Sequence, residues 1–147
     1  MTDEDRKRVA RRQLEAFNRH NETDYVADIA TSCVVIDIPS GEKLAGREGA
    51  RDFFRRWSTA FPDGKTTIHG EFVSGDTVVI QFTGEGTQKG PLGPFPASNK
   101  RAKTEFCSVS KIDGQGKVTE ITNYYDQLSL LMQLGHIPVP SAAGTSR

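Results

Sequence analysis

The sequence predicts an α+β fold, a mostly antiparallel sheet with helices packed on one face. Three observations carry this prediction. Helical periodicity is confined to the stretch up to Phe61 and to one short segment after Asp126. From Thr66 onward the chain alternates apolar and polar residues and is rich in β-branched side chains. Turn signals at Ser74-Gly75-Asp76 and Asp113-Gly114-Gln115-Gly116 link these segments as hairpins. Helices first and hairpin-linked strands after is the order of a segregated α+β domain.

The elements follow in order. Thr2 and Asp5 have capping-box spacing at the head of a first helix, whose apolar stripe is Ala10, Leu14 and Phe17. Arg6, Lys7, Arg8, Arg11 and Arg12 cover the rest as a solvated face. His20 to Asp24 breaks that helix, and Thr23 or Asp24 is expected to cap a short second one carrying Tyr25, Val26 and Ile29. Cys33 to Ile38 reads as a strand, Pro39-Ser40-Gly41 as a turn, and Lys43 to Ala45 as its returning partner. After Gly46 comes an amphipathic helix with Ala50, Phe53, Phe54, Trp57, Ala60 and Phe61 on one face, stopped by Pro62-Asp63-Gly64. Strands are expected over Thr66 to Val73, Thr77 to Thr83, Arg101 to Ile112 and Lys117 to Tyr125, with a Gly/Pro-rich loop over Gly84 to Asn99. Gln127 to Leu134 closes as a helix with Gly135 at its C-terminus. The domain is thus expected over 1–137, with 138–147 as a flexible tail rich in Pro, Ser, Ala and Gly.

Composition narrows the function classes. A chain of 147 residues fits one domain, and 35% hydrophobic with 26% charged residues fits neither a disordered nor a membrane protein. Lysine plus arginine, 19, equals aspartate plus glutamate, 19, so there is no global basic footprint for nucleic acid. No apolar run approaches the roughly 18 residues of a membrane span. The charged stretch Asp3 to Arg12 has no secretory apolar core, so the expected location is cytoplasmic. Cys33 and Cys107 lie far apart on strand-like segments and read as reduced, buried thiols. His20, His69 and His136 have no metal-ligand spacing, and there is no phosphate-binding glycine loop and no nucleophile elbow. No metal and no cofactor are expected.

What remains is a pocket with carboxylates. Alternation on Arg101 to Ile112 puts Lys103, Glu105, Cys107 and Val109 on one face and Thr104, Phe106, Ser108 and Ser110 on the other. On the last strand Glu120, Thr122, Tyr124 and Asp126 share a face. By spacing, Asp126 reads as the N-cap of the closing helix and Glu105 as an exposed strand residue or half of an ion pair.

The stretch Asn123 to Gly135, with its D-x-L-x-x-L-x-Q-L-G run from Asp126, resembles the SnoaL-like polyketide cyclases (ester cyclases) of the NTF2-like superfamily. Gly75-Asp76, the Gly86 to Pro91 loop, Pro96 to Arg101, Asp113-Gly114 and the helix from Gly46 to Phe61 agree with that resemblance, which covers nearly all of the chain but the tail. The resemblance implies an NTF2-like cone, a curved sheet around a pocket closed by the N-terminal helices. It implies Asp126 as the acid/base catalyst of an intramolecular aldol closure on a small aromatic or polyketide-like substrate, without cofactor. With it go a substrate-binding set of Phe17, Trp57, Phe61, Glu105, Asn123 and Tyr124, and a homodimer or higher homo-oligomer through the open sheet face. Gln88 stands where many relatives carry histidine. An isomerase, an epoxide hydrolase using Arg101 or Arg51, and a non-catalytic binding protein are the alternatives. For Asp126 the physical expectation is burial against Tyr124, Trp57 and Phe17, which would make it a stronger base.

Overall fold

A computed structural model describes residues 1–140. Part of the expected tail, 141–147, lies outside the described residues. Four helices and six strands follow the expected order: α1 (Asp3–Asn18), α2 (Glu22–Ala27), β1 (Ile29–Asp37), β2 (Glu42–Ala45), α3 (Gly46–Ala60), β3 (Lys65–Ser74), β4 (Thr77–Thr87), β5 (Arg101–Ile112), β6 (Val118–Tyr125) and α4 (Gln127–Gln133). The strands form one curved, unclosed sheet in the order β2-β1-β6-β5-β4-β3. Every neighbouring pair is antiparallel except β1 and β6, which run parallel with Asp37 opposite Asn123. The expected α+β class is therefore the observed one.

Local chemistry explains the boundaries. The capping box forms as expected: Thr2 Oγ1 accepts from the Asp5 amide and Asp5 Oδ2 from the Thr2 amide. The second helix starts earlier than its sequence suggests, because Asn21, not Thr23 or Asp24, is its cap and accepts from the Asp24 amide. Ile29 then belongs to β1, which begins four residues before Cys33. Gly46 enters α3 with φ +72°, a left-handed backbone that a glycine adopts without strain.

The core fills the space between α1, α2, α3 and the inner sheet face. Val9, Ala10, Leu14, Tyr25, Phe53 and Phe54 from the helices meet Cys33, Val35, Ile80, Phe82 and Ile121 from the strands. A second cluster of Ala60, Phe61, Leu92, Ala102, Leu130 and Leu134 seals the end where α4 docks, and Trp57 packs against both clusters. Arg11 ties α1 across to β3 through two hydrogen bonds of 2.8 Å to Glu71, which hold that carboxyl below its ordinary range. Among the described residues no helix is long and apolar enough to cross a membrane. Both cysteines are free; Cys33 is buried, which pushes its thiol up to about 11.

Candidate functional site

The helices do not fill the cone. A cavity of about 130 Å³ remains between α1, α3 and the inner faces of β4, β5 and β6. Its wall is mostly aromatic: Phe17, Tyr25, Phe53, Trp57, Phe61, Phe82, Phe106 and Tyr125. These rings hold one another. Trp57 stacks on Phe61 with centroids 6.1 Å apart and meets Phe106 and Tyr125 edge-on at 5.7 and 5.5 Å. Phe106 also stacks on Phe82 at 5.1 Å, where Gly84 leaves room for its ring: a Cβ there would lie 2.9 Å from Phe106 Cε1. The rim is polar, with His20, Lys65, Thr66 and Glu85.

Three polar groups in this wall are unsatisfied. Ser58 Oγ on α3, Thr104 Oγ1 on β5 and Asn123 Nδ2 on β6 are buried and have no hydrogen-bond partner among the described residues, although each residue lines the cavity. Thr104 is 5% exposed and Asn123 8%. A buried donor or hydroxyl without a partner costs about 1–3 kcal/mol. Here the groups that bear that cost border one apolar hole, which is the arrangement of a ligand site: apolar walls with a few polar anchors.

Alternation on β5 and β6 is as expected, and the structure decides which face is inside. Thr104, Phe106, Ser108 and Ser110 face the cavity, as do Ile121, Asn123 and Tyr125. Of the expected substrate-binding set, Phe17, Trp57, Phe61 and Asn123 are brought together there. Glu105 and Tyr124 of that set, and the expected catalyst Asp126, are not. They line a shallow depression on the opposite face with His69, Gln81 and Cys107. There Glu105 accepts from Thr83 Oγ1 at 2.6 Å, and the Thr83 hydroxyl contacts His69 Nε2, also at 2.6 Å.

Asp126 therefore does not have the environment expected of it. It is exposed, it is separated from Phe17 and Trp57 by the sheet, and its Oδ1 caps α4 by accepting from the Ser129 amide at 2.9 Å. The reason is parity: Asp126 follows Tyr124 on the outward-facing set of β6. Capping predicts a specific pattern. Asp126→Ala should lower stability by about 1 kcal/mol, and Asp126→Asn should leave it nearly unchanged, since both side chains cap well. Thermal melts of the two variants check it.

Gln88 has a structural task of its own. Its side chain is fully buried; Nε2 donates to the Phe95 carbonyl and Oε1 accepts from His136 Nε2–H at 2.8 Å, pinning the Gly/Pro loop to the segment after α4. Neither Arg51 nor Arg101 lines the cavity; they pair with Glu48 and Glu22, and with Glu85 and Asp63. Among the described residues no three histidine, cysteine or carboxylate side chains converge as a metal site would require.

Sequence reasoning did not select the polar anchors Ser58 and Thr104, nor the pair Tyr125 and Asp37. Tyr125 lines the cavity, and Asp37, its hydrogen-bond partner, lies buried on β1. A signal for Asp37 was present: it continues the i, i+2 series of Cys33 and Val35, an otherwise apolar face.

Comparison with known proteins agrees with the cone. The family model for SnoaL-like polyketide cyclases matches residues 7–134. No curated protein sequence matches the chain. Among solved structures, TsrD from Streptomyces laurentii is similar at TM-score 0.81 and 26% identity, covering 93% of this chain and 99% of that one. IdmH from Streptomyces antibioticus, a candidate polyketide cyclase, aligns at TM-score 0.75 and 21% identity over 88% and 98%. An LEH-like epoxide hydrolase from M. tuberculosis aligns at 0.71 and 17% over 89% and 90%. The last two likenesses bear on the fold alone.

Proposed function

The chain belongs to the SnoaL-like polyketide cyclase family, and we propose that it performs cofactor-independent acid/base chemistry on a small enolisable carbonyl compound held in the aromatic cavity. Ring closure of the aldol type is the leading reaction. The observation that carries this reading is the unpartnered Asn123 Nδ2 in an aromatic wall. A buried amide N–H in an aromatic wall is what a carbonyl oxygen needs when negative charge grows on it, and in a low-dielectric setting the hydrogen bond strengthens as the enolate forms. The rings of Trp57, Phe61 and Phe106 would hold the flat enolate between them. Binding of this kind also supplies the proximity that an intramolecular carbon–carbon bond requires.

Size limits the substrate. The cavity, about 130 Å³, is close to the roughly 150 Å³ at which an apolar pocket takes up benzene. The proposed ligand is therefore a compound with one ring seated inside and any remaining chain at the rim by His20, Lys65 and Glu85. The rim and the half-buried Thr66 offer it polar contacts. The epoxide-hydrolase alternative has less support, because neither Arg101 nor Arg51, one of which it needed in the pocket, is among the cavity-lining residues.

Phenylacetone tests the proposal. It has an aromatic ring, one carbonyl and a benzylic methylene whose protons are easily followed. In deuterated buffer the wild-type protein should accelerate deuterium exchange at that methylene by roughly 100-fold or more, the scale of general acid/base catalysis. Binding should quench the emission of Trp57, the single tryptophan of the chain. Asp126→Asn should exchange at the wild-type rate. Exchange at the buffer rate with unquenched Trp57 would overturn the reading, and loss of exchange in Asp126→Asn alone would return the chemistry to the outer face.

A further inference from the structure

Beside the cavity lies a buried carboxylate, Asp37, that the lining residues leave unexplained. β1 turns Cys33, Val35 and Asp37 inward, so a carboxylate stands where a third apolar residue would complete the face. Asp37 is 4% exposed. Its Oδ2 accepts from Ser40 Oγ at 2.6 Å and from the Tyr125 hydroxyl at 3.2 Å. Its Oδ1 is buried and has no partner among the described residues. On the neighbouring strand, directly opposite, is Asn123 with its own unpartnered amide. The charged groups around the pair are Arg56 of α3 and Glu42 of β2, and these are joined to each other by two hydrogen bonds.

A half-satisfied carboxylate in the core is costly, and valine would avoid the cost. Tyr125 shows what the carboxylate reaches. Tyr125 lines the cavity, and its hydroxyl donates to Asp37 Oδ2. Burial, and then the charge of Asp37, push that hydroxyl well above its usual range, so it stays protonated at neutral pH. It can accept a proton only while giving its own away, and Asp37 Oδ2 is where its own proton goes.

We propose that Tyr125 and Asp37 form one proton-transfer unit serving the cavity, with Tyr125 touching the substrate and Asp37 storing the proton. The proposal rests on the acid/base reading above. In the forward step the C–H bond beside the carbonyl breaks and its proton passes to Tyr125 Oη. The Tyr125 O–H proton moves in the same step to Asp37, which becomes neutral. The electron pair of the C–H bond settles on the carbonyl oxygen, where Asn123 Nδ2 donates to it. After the new carbon–carbon bond forms, Tyr125 gives a proton to the alkoxide and recovers one from Asp37, so no proton is gained or lost.

Deuterium exchange into phenylacetone, compared across single and double variants, is the test. Asp37→Asn and Tyr125→Phe should each slow exchange by about 100-fold, and the double variant should be no slower than either single one, because the two residues act as one unit. Asp37→Asn, which keeps an acceptor oxygen for Ser40 and Tyr125, should melt close to wild type, and Tyr125→Phe should melt somewhat lower because it takes a hydrogen bond from a buried carboxylate. Wild-type exchange that survives Asp37→Asn, or single losses that multiply in the double variant, would overturn the unit while leaving the acid/base reading intact. Absence of exchange in the wild type would overturn both.

Discussion

Trp57→Ala is expected to be the most destabilising single truncation in the cavity wall. Removing the side chain should cost about 3–5 kcal/mol, the range for large aromatic truncations in a core. For a domain of this length that lowers the melting temperature by roughly 10 °C or more. The position explains the size of the effect. Trp57 is the side chain common to both hydrophobic clusters, and its ring contacts Phe53, Phe61, Phe106 and Tyr125. Truncation would join its volume to a cavity already of about 130 Å³, so the surroundings have little capacity to collapse. Trp57→Phe should restore most of the loss by keeping a ring in contact with Phe61. Circular dichroism melts of the three proteins, which need no tryptophan signal, measure this. A Trp57→Ala loss below about 1 kcal/mol, the level of an ordinary surface change, would mean that the two clusters are held together by backbone and not by this ring.

The same ring shows why much of the fold was legible and part of the site was not. Helix and strand identity followed from periodicity, and β5 was read to its end residues because Gly/Pro punctuation and an Asp-Gly turn bracket it. The faces of β5 and β6 were also readable. Which face turned inward was not, because on β6 both sides carry an aromatic and a polar residue: Tyr124 with Asp126 outside, Asn123 with Tyr125 inside. Two adjacent tyrosines make the register ambiguous by one residue, and one residue reverses the side. Trp57 and Phe61 were identified because a helix face with six apolar residues points one way. Asp37 does not stand out in the sequence because it lies next to the Pro39-Ser40-Gly41 turn, where an aspartate is commonplace. Only the partner strand reveals that it is enclosed.

Asn123→Leu is expected to make the protein more stable and less active at once. Leucine has a similar shape and removes a buried amide whose Nδ2 has no partner. Deleting an unsatisfied donor recovers its desolvation cost, about 1–3 kcal/mol. The same change should slow phenylacetone exchange by roughly 100- to 1000-fold, the loss that follows removal of one oxyanion donor. Thr104→Val is the milder companion: it removes a buried hydroxyl without a partner on the facing strand, with a smaller stability gain and a smaller effect on binding. Opposite signs on stability and activity separate a site from a packing defect. If these polar groups were only imperfections of the core, both variants would gain stability and neither would touch exchange. If hidden contacts held them, both would lose stability, as the removal of a satisfied buried hydrogen bond does. Gain in the melt together with loss in exchange occurs only when the unmet hydrogen bonds are completed by a ligand, which is the physical content of calling this cavity a site.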